Sequence, residues 1–335
     1  MSKLQTTLLS GLTIIAFVLA PSMVNAQGVQ CDPNLVMTAE RCAKCHTSEV
    51  AVWKKTPHFQ TYEQLSRKPK AKEICRKLGL GSSVKRSGVC IDCHFTTKTI
   101  GDKIKPVSGI SCESCHGAAQ KWIDVHSDYG GPTATRENES AEHAATRLQN
   151  SLELGMRNTR DLYLIASSCF RCHTVPNESL VNVGGHVAGT EDFELVRWSQ
   201  GRVRHNFLRS GGTVNAKPTT ARLRVMFVIG LMADLEYSTR ATAKATEKSS
   251  YGLTVANRAA TKAVALFEVQ QKINDPNIQM AIDAFAKAEL KINNEAQLNE
   301  IANQIKNAGR MFANQNDGTN LAAIDRLLPN ESEYK

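Results

Sequence analysis

Hydrophobic positions along this chain follow two regimes, with a change near Thr219. Beyond it the chain is rich in Ala, has no Cys or His, and repeats at helical spacing. Leu223 to Tyr237 begins with a strongly apolar helix. Leu298, Ile301, Ile305, Ala308 and Phe312 form an i, i+3, i+4 stripe. Asp275-Pro276 fits an N-cap followed by N1, and Asn294 with Gln297 resembles a capping box. The pattern predicts four or five helices in a bundle. Such a stripe is more often core than interface, although oligomerisation through these helices stays open.

Before Thr219 the periodicity is broken. A helix is predicted over residues 139–154, with His143 and Arg147 one turn apart on one face. Gly79 to Ser83, Asp128 to Pro132 and Val183-Gly184-Gly185-His186 read as turns or close backbone approaches. Pro106 and Gly109, among strand-like Val107 and Ile110, suggest a tight connection. At the start, Lys3, the short apolar run Leu8 to Ala20, and Val24-Asn25-Ala26 resemble an export leader cleaved near Ala26. No other run reaches the length of a membrane span, so the mature chain is expected to be exported, without a span.

Four repeats interrupt this first regime. They are Cys42-Ala43-Lys44-Cys45-His46, Cys90-Ile91-Asp92-Cys93-His94, Cys112-Glu113-Ser114-Cys115-His116 and Cys169-Phe170-Arg171-Cys172-His173. Each is C-x-x-C-H, the attachment signal for haem c. Two thiols three positions apart each form a thioether with a haem vinyl group, and the following imidazole becomes an iron ligand. A zinc knuckle also uses paired Cys and His, but does not require His directly after every second Cys. A thioredoxin-type C-x-x-C would come singly, near a βαβ pattern that is absent here. Four covalently bound haem c groups are expected, at Cys42, Cys45, Cys90, Cys93, Cys112, Cys115, Cys169 and Cys172, with His46, His94, His116 and His173 on the irons.

The cofactors change how the rest reads. The formal charge of +9 does not require nucleic acid. Haem propionates supply about two negative charges per group, and an exported protein meets no nucleic acid. Aromatic content of 6% is low because porphyrins replace packing that side chains normally supply. Residues 67–86 hold eight Lys or Arg against Glu73; they read as a solvated face or as a patch that steers an acidic partner. Cys31 and Cys75 are left over and could pair in an oxidising compartment. His58, His126, His143, His186 and His205 are five candidates for four open sixth positions. Only 17 residues separate His94 from Cys112, which makes the second and third haems near neighbours.

These features resemble the tetrahaem cytochrome c-554 family, relatives of the haem core of hydroxylamine oxidoreductase. The likeness rests on Trp53 and His58 after the first motif, on Ser111 to Gly117 with His126 soon after, and on His205 within Arg202 to Phe207. It covers roughly residues 40–208 and leaves out the C-terminal helices. The resemblance implies His126 opposite His46, His58 opposite His116 and His205 opposite His173. It also implies a second haem, on His94, that can be five-coordinate. His143 and His186 depart from the pattern, and either could close that site.

The expected fold is mainly α: a multihaem domain with little regular secondary structure over residues 27–215, then a helical domain over 216–335. The expected function is a periplasmic carrier that passes electrons between redox partner proteins through closely spaced, mostly bis-His haems. The alternative is a reductase of nitric oxide, hydroxylamine or a similar species at an open second haem. The C-terminal helices could also dock the protein onto a larger complex.

Overall fold

The computed structural model describes residues 31–190 and 192–335; the leader expected over residues 1–26 lies outside them. The chain is mainly α, with one two-stranded sheet among the described residues. The first part is built of short pieces: α1 (Ala39–Cys42), α2 (Thr47–Trp53), α3 (Pro57–Gln64), α4 (Pro69–Lys77) and α5 (Gly88–His94). The hairpin β1 (Thr96–Ile100) and β2 (Lys103–Ser108) then leads to α6 (Cys112–His116). The 17 residues between the second and third motifs are therefore mostly a hairpin. It turns at Gly101, whose φ of 59° suits glycine.

Next come α7 (Ala141–Glu153), α8 (Leu162–His173), α9 (Glu178–Asn182) and α10 (Leu195–Ser199). α7 lies within the predicted helix and is capped by Ser140, which accepts from the His143 backbone N–H. The bundle follows with α11 (Thr220–Ala243), α12 (Ser250–Ile273), α13 (Pro276–Phe285) and α14 (Glu295–Gln315), then a 3₁₀ segment Thr319–Leu327.

Helix α11 is buried along most of its length and packs on α8, α10, α12 and α14. The whole predicted stripe on α14 is buried. Asp275 caps α13 as expected, accepting from the backbone N–H groups of Asn277 and Ile278. Asn294 does not form the expected box. Its side chain makes no cap bond and instead donates to the side-chain amide oxygen of Gln297 at 2.6 Å.

One core runs across position 215. Leu162, Tyr163, Ala166 and Phe170 of α8 pack in the same cluster as Ile229, Met232, Ile305 and Phe312. A Cβ on Gly309 would lie 2.1 Å from the Tyr163 ring, so α14 approaches α8 only because residue 309 has no side chain. The fourth C-x-x-C-H motif, at the end of α8, is thereby seated on the bundle.

Candidate haem centres

Each motif sits on or beside a short helix, which sets its cysteines and histidine on one side of the chain. The third motif is the best anchored. Glu113, between its two cysteines, is buried and accepts from the backbone N–H groups of Met37, Thr38 and Ala119, each at 2.8 Å. The Thr96 hydroxyl links the end of the second motif to the third, bonding the Gly109 carbonyl, Ser111 and Ser114. Trp53 Nε1 donates to the Ile110 carbonyl at 2.8 Å, which holds the first motif's following helix on the same loop. Gly109 is required here, since a Cβ would lie 2.1 Å from the His58 carbonyl oxygen.

The histidines fall into four pairs. Ring centroids are 6.3 Å apart for His46 and His126, 6.3 Å for His94 and His186, 6.1 Å for His116 and His205, and 6.3 Å for His58 and His173. A metal–imidazole bond is about 2.0–2.1 Å and a ring centre lies about 1.1 Å behind its nitrogen, so two imidazoles across one iron stand about 6.3 Å apart. Every pair joins one motif histidine to one non-motif histidine. The residues present thus fit four haems with imidazole on both faces.

Hydrogen bonding prepares the rings for that role. The Nδ1–H groups of His116, His126, His186 and His205 donate to the carbonyls of Arg157, Ile123, Val187 and Val203. A carbonyl can only accept, so in the neutral ring the lone pair is left on Nε2, as metal binding requires. His173 Nδ1 is 3.1 Å from the Thr190 hydroxyl. Burial, and then the partner ring, push His94 and His116 down to about 4; burial, and then His58, push His173 down to about 3. These rings are neutral at pH 7, the form that binds iron.

The pairing differs from what the resemblance implies at two positions. His58 faces His173, not His116, and His205 faces His116, not His173. The anchors explain the exchange. Thr61 on α3 donates to the His94 carbonyl at 3.0 Å and so keeps His58 beside the second and fourth motifs. Ser48 donates to the Gly212 carbonyl at 2.7 Å, so the loop after His205 lies beside the helix that follows the first motif.

His186 takes the place opposite His94, and His143 takes none. Its Nδ1 bonds Glu139 at 2.7 Å, and Arg147 grips the same carboxylate while donating to the His126 carbonyl. Arg147 holds Glu139 down to about 2. His143 therefore braces His126 from outside.

The centres are neighbours in a definite order. Cys42 and Cys112 are close enough to perturb each other's protonation, and so are Cys93 and Cys172. Cys115 feels the charge of Cys172, and Cys169 that of Cys115. The first motif is thus beside the third, the third beside the fourth, and the fourth beside the second. Cys31 and Cys75 are both free. Cys75 lies 3.9 Å from Cys90, and Cys31 bonds the Glu113 carbonyl.

Sequence reasoning did not find two buried cations. Arg157 is 2% exposed, donates to the Ser114 carbonyl and Ser168, and has an Nε without a partner among the described residues. Arg258 of α12 pairs with Asp234 of α11 and donates to the carbonyls of His173 and Thr190, tying the bundle to the fourth motif. Among the described residues no three His, Cys, Asp or Glu side chains converge as a zinc site needs.

Residues 41–117 match the family described as cytochrome c554 and c-prime. Over this segment the chain is similar to the cytochrome c-554 family. It is also similar to cytochrome c-554 of Nitrosomonas europaea, with 30% identity over 100 residues. That alignment covers 27% of this chain and 42% of the relative, so the chain spans less than half of the relative's length. No solved structure matches. No helix among the described residues is long and apolar enough to cross a membrane.

Proposed function

We propose that this protein is a periplasmic tetrahaem cytochrome that carries electrons between redox partner proteins, with all four irons held between two histidines. The observation that carries the reading is the set of four histidine pairs, each at the separation that one bis-imidazole iron requires. A haem iron cycling between ferric and ferrous states would supply the chemistry. The chain's own residues do the rest. Cys42 and Cys45, Cys90 and Cys93, Cys112 and Cys115, and Cys169 and Cys172 hold the porphyrins. The carbonyls behind His116, His126, His186 and His205 fix ring orientation. Arg157, with its free buried nitrogen, is placed to meet a propionate near the third motif. The order of neighbouring motifs, first–third–fourth–second, gives a continuous path.

His186 argues against the reductase alternative. A substrate-binding iron needs a vacant face, and the second centre has the same two-ring arrangement as the other three. Intact mass should show four haem additions per chain, and carbon monoxide or nitric oxide should leave the spectrum of the reduced protein unchanged. A ligand-induced shift of one haem in four would revive the reductase.

A further inference from the structure

The second centre lies at one end of the path, and the surface beside it is rich in exposed cations. Helix α4 packs directly on the loop that carries His186. Ile74 of α4 approaches Gly184, and a Cβ on Gly185 would lie 3.7 Å from both Lys70 Nζ and Lys77 Nζ. Arg67, Lys68, Lys70, Lys72, Arg76, Lys77 and Arg86 are exposed, and the acids among them are few. Glu73 pairs with Lys70 and Lys77, and Glu63 with Arg67. Two apolar side chains flank His186 in sequence within this basic surround: Val183 is 55% exposed and Val187 is 66% exposed.

We propose that this face is where an acidic redox protein docks and exchanges electrons at the His94/His186 centre. The inference rests on the carrier reading above and adds where it is entered and by what kind of partner. Exposed valines at the centre with cations around them have the anatomy of a transient interface: a small apolar contact and a charged rim. The rim steers an oppositely charged protein, an effect worth about 10 to 10³ in association rate and lost as salt rises. His186 is half-buried and directly precedes the exposed Val187, which brings the second centre to within one residue of the contact. The transfer is a single-electron step: the partner loses one electron, one ferric iron becomes ferrous, and no bond forms or breaks.

The test uses the mature holoprotein and an acidic flavodoxin, reduced to its hydroquinone, as donor. Its oxidation to the semiquinone is followed by stopped flow across a salt series. Reversing Lys70, Lys72 and Lys77 together (K70E/K72E/K77E) should slow reduction about tenfold or more at low salt, with the difference closing at high salt. The neutral set K70Q/K72Q/K77Q should fall between. A control of equal charge change on the bundle, K248E/K272E/K287E, should stay within about twofold of the unaltered protein. Equal slowing in both reversed sets, no slowing in the α4 set, or slowing that survives high salt would overturn the docking assignment. An unaltered protein that accepts no electrons from flavodoxin or from dithionite would instead defeat the carrier reading.

Discussion

The segment around the first three motifs and the bundle after Thr219 solve the folding problem in opposite ways. Helices α1 to α6 are four to nine residues long, below the roughly 12–15 at which an isolated helix becomes even marginal. Their side-chain cores are small. One consists of Cys75, Val84, Cys90 and Phe95, another of Ala119, Trp122 and Ile123. In the bundle, α11 and α12 run 24 residues each and α14 runs 21, around one large apolar core. On the proposed reading the first region is organised by the haems it would bind, the second by its own packing. Motif four belongs to both, because α8 contributes to the bundle core and ends on His173.

The largest effect should follow from withholding haem. Chain exported without attachment, or with all eight motif cysteines replaced by Ala, should lose residues 31–133 to brief proteolysis while a fragment containing α11 to α14 persists. Uniform resistance would break the contrast. Next comes the buried charge that joins the two regions. Asp234→Ala leaves Arg258 and Lys262 without their shared carboxylate inside the bundle. It should cost about 3–5 kcal/mol in denaturant unfolding and perturb the fourth haem first. A smaller change tests the α8–α14 contact. Gly309→Ala drives a methyl group into the Tyr163 ring and should cost about 1–3 kcal/mol, read as a lower melting temperature. The smallest effect separates a brace from a ligand. His143→Ala should leave the ferric spectrum unchanged and cost less than about 1 kcal/mol. His126→Ala should convert one haem to high spin. A high-spin signal from the His143 variant would reverse their roles.

The bundle was legible because its signal is local: the α14 stripe and the Asp275-Pro276 start are fixed by neighbours in sequence. The motifs were legible for the same reason, with both cysteines and the histidine inside five residues. Pairing was not, since it depends on where distant loops come to rest. His58 and His205 exchange partners because Thr61 and Ser48 anchor their segments, and neither anchor has a sequence signature. Glu113 left a trace, an acid between the two cysteines of a motif, but its three backbone partners come from elsewhere. Asn294 shows the converse failure, where a plausible cap pattern was taken over by a bond to Gln297.

The central claim is that no iron in this protein has a free face. Electron paramagnetic resonance of the fully oxidised holoprotein, integrated against the haem count from intact mass, tests it most directly. The account predicts four low-spin ferric centres per chain and no high-spin signal, with or without nitric oxide. One high-spin iron per chain in the unaltered protein would contradict it.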